Sequence, residues 1–181
     1  MKISFSLLLY SCAVIGQSVL AAEEKLIADP IVKRAVRMEL KKPKGKLNEA
    51  DLGKITRLTL GDTQFTDEGL VDLAKLQNLE WLYLASTKIT DAGLMEVVKL
   101  QNLEWLNLNK TKITDEGLKE LAKLQKLKAL WLRNTQITDE GLKDVAKLQM
   151  LQQIYLGGTQ ITVAGIAELH KAMPNCEIRW P

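Results

Sequence analysis

"LEWLNLNKTKITDEGLKELAKLQK", residues 103–126, decides the fold, because the chain says nearly the same thing several times over. "ITRLTLGDTQFTDEGLVDLAKLQN" begins at Ile55, "LEWLYLASTKITDAGLMEVVKLQN" at Leu79 and "LKALWLRNTQITDEGLKDVAKLQM" at Leu127. A further copy starts at Leu151, and "NCEIRWP" from Asn175 opens another that stops short. A constant period of 24 residues marks a stacked solenoid, in which no unit can bury its apolar side without a neighbour. Within a unit such as "LEWLYL", Leu82 and Leu84 alternate with Trp81 and Tyr83 in a period of two, so a short strand buries one face and presents the other. In "GLKELAKL", Leu118, Leu121, Ala122 and Leu124 fall at helical spacing, leaving Lys119, Glu120 and Lys123 to water.

The oxygens crowded into "ITDEG" imitate an active-site loop, but their recurrence argues for architecture. Thr114 is a candidate N-cap, with Asp115 and Glu116 in the first helical turn, where the helix dipole favours negative charge. The pattern returns at Thr66-Asp67-Glu68, Thr90-Asp91 and Thr138-Asp139-Glu140, and a catalytic site needs no such copies. Gly69, Gly93, Gly117, Gly141 and Gly165 form a column expected to let helix and strand approach closely. Thr63, Thr87, Thr111, Thr135 and Thr159 form another, just after the strands.

This leucine spacing resembles the leucine-rich repeat family, and "ITDxGL" resembles its strand-then-helix subtype; the resemblance covers roughly residues 47–181 and extends to short secreted bacterial members. It implies an α/β solenoid, a right-curving horseshoe arc of five full repeats, with a parallel sheet on the concave face and helices on the convex face. It also implies that the threonine column stands where the family commonly has Asn or Cys bonded to neighbouring turns, with hydroxyls doing similar work.

The expected organisation is a signal peptide over 1–21, an N-terminal helical cap over 22–54, five repeats over 55–174 and a C-terminal cap strand over 175–181. Lys2, the apolar run from Ile3 to about Leu20 and the small residues before Glu23 and Glu24 carry the first assignment. A retained membrane anchor is the alternative, the run being near the lower length limit for a span. "LYSC" at 9–12 resembles a lipoprotein box, but Tyr10 is unsuited to it and the apolar run continues past Cys12. In the cap, "DPIVKRAVRMELKK" predicts a helix from about Pro30 to Lys41 with Ile31, Ala35, Val36 and Leu40 inward. "LNEADL" predicts a short helix capped by Asn48 with Asp51 three residues on. At the far end Val163 replaces the usual aspartate, and Ile178 should point inward.

With 46% hydrophobic but only 5% aromatic residues, the core must be aliphatic. Loss of a signal containing Cys12 leaves only Cys176, so no internal disulfide can form. A thiol nucleophile would need Cys176 and His170, the only histidine, to converge, yet one sits on a helix and the other on the next strand. One Cys and one His are too few for zinc, and no phosphate-binding glycine loop is present. The reading is therefore a non-enzyme, with no catalytic residue, no metal and no cofactor. Charge is uneven: Lys33, Arg34, Arg37, Lys41, Lys42, Lys44 and Lys46 make the front basic, while acid and base alternate on the repeat helices. The basic front could attract an anionic membrane or polymer, but it reads first as a solvated cap, and nucleic acid is disfavoured.

One signal exceeds what architecture demands. Five aromatics stand at outward strand positions, Trp81 and Trp105 in one column and Tyr83, Trp131 and Tyr155 in the next. At about 4.8 Å between strands, Trp81 should stack beside Trp105 and Trp131 beside Tyr155. Glu80, Glu104, Asn107, Lys128, Arg133 and Arg179 surround them with mixed charge, as on a protein-recognition surface. The expected ligand-binding set is Trp81, Tyr83, Trp105, Asn107, Trp131, Arg133 and Tyr155. The expected partner is a protein or peptide, with a glycan or cell-wall polysaccharide as the alternative; a membrane partner is expected only if the first segment is retained. The expected location is secreted or periplasmic.

Overall fold

The computed structural model describes residues 26–181, so the signal-peptide assignment lies outside the described residues. Two cap helices, α1 (Pro30–Glu39) and α2 (Glu49–Leu52), precede the first strand, β1 (Arg57–Thr59). Strand and helix then alternate: α3 (Asp67–Leu73), β2 (Trp81–Tyr83), α4 (Asp91–Val97), β3 (Trp105–Asn107), α5 (Asp115–Leu121), β4 (Ala129–Trp131), α6 (Leu142–Val145), β5 (Gln153–Tyr155), α7 (Val163–Ala172) and β6 (Glu177–Arg179). The strands form one parallel sheet in chain order, and the register advances by one 24-residue unit at each step: Leu58, Leu82, Leu106, Leu130, Ile154 and Ile178 lie side by side. All but Ile178 in that row are buried, and Ile178 is half-buried against the same core. Helices spaced at about 8–10 Å cannot stack in step with strands at about 4.8 Å unless the ladder curves toward the sheet. The sheet accordingly takes the inside of the arc.

The aspartate column fastens unit to unit. Asp67 accepts from the Thr90 backbone N–H at 2.9 Å and from its hydroxyl at 2.6 Å. Asp91 holds Thr114, Asp115 holds Thr138 and Asp139 holds Thr162 in the same way, each across 23 residues. Asp67, Asp91 and Asp115 thus bridge successive repeats as well as facing their own helix dipoles, whereas Asp139 sits in the turn before α6, which begins only at Leu142. N-capping is less uniform than expected: Thr114 accepts from the Glu116 N–H, whereas Thr66 and Thr90 make no side-chain cap bond.

Two expectations about the other columns need correction. A Cβ placed on Gly93, Gly117, Gly141 or Gly165 would collide with the aspartate of the preceding repeat, so these glycines admit a neighbouring helix start and its carboxylate rather than a strand. The post-strand threonines bond within their own repeat, not to neighbouring turns. Thr87, Thr111 and Thr135 are buried, and each donates to the leucine carbonyl three residues back at 2.6–2.7 Å.

At the front, α1 buries Val32 and Val36, with Ile31, Ala35 and Leu40 only partly covered. Its inward face is therefore rotated toward Val32, which the sequence reading omitted, and the helix ends at Glu39, two residues before Lys41. Asp72 of α3 clips this cap down by accepting from the Ala28 and Asp29 N–H groups, both at 2.6 Å. Around α2 the reciprocal capping box of Asn48 and Asp51 is present as read.

Candidate functional site

The candidate site is the outward face of the sheet, built from two side-chain columns set by strand register. Arg57, Trp81, Trp105, Ala129, Gln153 and Glu177 form one; Thr59, Tyr83, Asn107, Trp131, Tyr155 and Arg179 form the other. Because Leu82, Leu106 and Leu130 face the core with 1%, 0% and 0% exposure, alternation turns their neighbours outward. Trp81, Tyr83, Trp105, Trp131 and Tyr155 are half-buried, and Arg133, just past β4, is exposed.

The rings do not pair straight across the strands as expected at Trp81. Its ring stacks on Tyr83 of the same strand, with centroids 6.0 Å apart. Trp105 instead reaches diagonally to Trp131 at 5.8 Å, and Trp131 stacks on Tyr155 at 5.3 Å, the last pairing as expected. The reason lies in Ala129, the register partner of Trp105. Its methyl faces outward yet is fully covered, and a larger side chain there would stand in the path between the two tryptophans. Gly61 plays a similar part for Tyr83, whose ring occupies the space a Cβ at 61 would need. The aromatic surface is thus two groups: a Trp81–Tyr83 pair and a continuous row of Trp105, Trp131 and Tyr155.

Cations close both groups. Arg57 lies 5.1 Å from the Trp81 ring centre, and Arg133 and Arg179 each lie 5.3 Å from that of Tyr155. Arg179 is also paired with Glu177 at 2.7 Å, and that carboxylate's hydrogen bond holds its guanidinium pKa above the ordinary value. Lys128 and Glu104 pair with each other at 2.7 Å beside the row. Among the described residues no ion pair engages Arg57 or Arg133, which leaves both guanidinium forks free for a ligand. Asn107 spends its carbonyl oxygen on the Asn109 N–H at 3.0 Å, and Asn109 in turn accepts from the Arg133 N–H at 2.7 Å. These bonds stiffen the floor beside the aromatic row while the Asn107 amide nitrogen stays available. Arg57, Ala129 and Gly61 were missed from the sequence, although counting 24 residues back from Trp81 would have found Arg57.

Cys176 is buried, and burial together with the nearby Glu177 charge pushes its thiol up to about 11, so little thiolate exists near neutrality. His170 is exposed on α7. Among the described residues no group of three or more His, Cys, Asp or Glu is placed to hold a metal ion, and no helix is long and apolar enough to cross a membrane.

Comparison with known proteins agrees with the architecture. The family profile described as Leucine Rich repeats (2 copies) matches residues 101–144, and the Leucine Rich repeat profile matches 54–74 and 75–98. No curated protein matches. Among solved structures, a Leptospira interrogans leucine-rich repeat protein is similar at 28% identity and a TM-score of 0.56, over 74% of this chain and 33% of that one. An internalin of Listeria monocytogenes is similar in fold at 20% identity and a TM-score of 0.53, over 87% of this chain and 56% of that one. The chain thus spans a third of the first protein's length and little more than half of the second's. Profiles matching successive units, a register that shifts by one unit per strand and these structural likenesses agree: the chain is a leucine-rich repeat protein.

Proposed function

We propose that the sheet face binds an extended segment of a partner protein, or a peptide, with Trp81, Tyr83, Trp105, Trp131 and Tyr155 as apolar anchors and Asn107 and Arg133 as polar contacts. Leucine-rich repeat proteins generally act as protein-binding modules, and the observation that carries the finer reading is the continuous half-exposed row Trp105–Trp131–Tyr155. Indole and phenol rings locked by stacking lose little conformational freedom on binding and offer large flat contact areas, which is why such residues dominate interface energetics. Free guanidinium groups at Arg57 and Arg133 favour a ligand with carboxylates spaced along its length. The chain would meet this partner outside the cytoplasm, as the pattern of residues 1–24 suggests.

A display library of random peptides is the test. Peptides enriched on the wild type should lose at least a hundredfold in affinity for the Trp105→Ala/Trp131→Ala variant, with the circular dichroism spectrum retained. Ala129→Lys should have a similar effect without removing any ring. Retained affinity in both variants would refute the surface. Enrichment of no peptide, with cell-wall polysaccharides instead quenching tryptophan fluorescence, would transfer the site to glycans.

A further inference from the structure

The second unpartnered surface lies on the cap, remote in sequence from the aromatic row. Along the outward side of α1 run Pro30, Arg34 and Met38, flanked by Lys33 and Arg37, with Lys41 two residues past the helix end completing the patch. Met38 is 69% exposed, an apolar side chain standing at the centre of four cations. The repeat helices treat their lysines differently: Lys99, Lys119, Lys123 and Lys143 each pair with a glutamate three residues earlier at 2.5–2.6 Å. On α1 no such partner exists among the described residues. Asp29 spends one carboxylate oxygen on the Ile31 and Val32 N–H groups, Asp51 is taken by Lys42 and Lys54, and Glu39 does not line the patch. Arg37 is tethered through its guanidinium to the Lys42 and Gly45 carbonyls, which fixes its positive charge in place without neutralising it.

We propose that this patch is a docking surface for an anionic lipid bilayer, with Met38 entering the headgroup–acyl boundary and Lys33, Arg34 and Lys41 reaching lipid phosphates. Two features favour a bilayer over an acidic protein, and a third, the anchoring of the helix, makes docking possible. The cations surround an apolar side chain on the outer face of a helix, the arrangement that suits an interface with charge above and hydrocarbon below. Val32 and Val36 anchor the opposite face in the core, so α1 can dock without unfolding. The patch also starts ten residues beyond the apolar run ending at Leu20, where a chain held by that run would meet the headgroups. A chain freed from that run keeps the same peripheral contact.

The test is flotation of the full chain with phosphatidylcholine vesicles, with and without about a third phosphatidylglycerol. The wild type should prefer the anionic vesicles and be released as salt rises from about 0.1 M to about 0.5 M. Lys33→Glu/Arg34→Glu/Lys41→Glu should lower partitioning onto anionic vesicles about a hundredfold while leaving any binding to pure phosphatidylcholine, which reports the apolar run, unchanged. Met38→Asp should weaken anionic binding, and Met38→Leu should restore it. Equal partitioning of wild type on both vesicle types overturns the proposal, as does binding to soluble polyphosphate without binding to vesicles. Should the triple variant misfold, salt-insensitive binding of the wild type would overturn it alone. Lys33 and Lys41 lie off the sheet face, and Arg34 and Met38 approach it only at Thr59 of β1, which is not among the proposed peptide contacts, so failure here leaves the peptide-binding reading standing, and the reverse also holds.

Discussion

At Gly117 the absence of a side chain is the structural fact that matters. A helix interior ordinarily prefers alanine to glycine by about 1 kcal/mol. Here the methyl would fall on the Asp91 carboxylate, which is fixed by two hydrogen bonds to Thr114, and on a Leu94 methyl 2.8 Å away. Gly117→Ala should therefore destabilise by about 1–3 kcal/mol in urea unfolding. Asp91→Ala should cost about 2 kcal/mol by itself through loss of the Thr114 bonds. Combined, the two should cost clearly less than their sum, because removing the carboxylate opens room for the methyl. Strict additivity would show that the glycine serves something other than this contact. A second set of residues is selected by backbone angle: Asp62, Ser86, Lys110 and Asn134 all take φ near +55°, and Gly158 takes +73°. Asn, Asp and Gly tolerate that conformation well, whereas Lys110 accepts it because the repeat imposes the turn.

Among the elements, the joint between cap and repeats depends most on one ionised group. Burial pushes the Asp72 carboxyl up, but hydrogen bonds from Lys75 and from the Asp29 and Ala28 N–H groups outweigh it and leave the group below its ordinary value. A carboxylate depressed in the folded state contributes stability that is complete above its unfolded pKa of about 3.9 and is lost as pH falls through the folded value. Asp51, lowered chiefly by its hydrogen bond from Lys42, and Asp139, lowered chiefly by that from the Thr162 hydroxyl, act in the same direction. The urea midpoint should stay flat from pH 7 to about 5 and drop below about pH 4. Asp72→Ala should lower stability by about 2 kcal/mol at pH 7 and converge on the wild type in acid, while amide exchange in α1 accelerates. How much of this was legible from residues depended on range. Leu82, Leu106 and Leu130 declared their face through local alternation, and Asn48 with Asp51 declared a cap across three positions. The hold of Asp91 on Thr114, the clip of Asp72 on Ala28 and the lean of Trp105 over Ala129 join residues some two dozen or more apart. Only the register of packed units, not any local pattern, brings those pairs together.

For the whole molecule, stability is distributed because each unit touches only its neighbours. Deleting residues 103–126 should therefore leave a cooperatively unfolding protein, with Trp81 now followed in register by Ala129 and Asp91 bonding Thr138 in place of Thr114. The urea m-value should fall by roughly a sixth, in proportion to the surface removed. Collapse of the shortened chain would mean that the units are not equivalent. Every aspartate fastener carries its acceptor on one unit and finds its donor on the following one, so any tandem copying of a single unit reproduces both halves of the joint at once. Such an array can lengthen by genetic slippage without inventing a new interface. Val163, which holds no oxygen where Asp139 holds two, is the point at which that growth loses its latch.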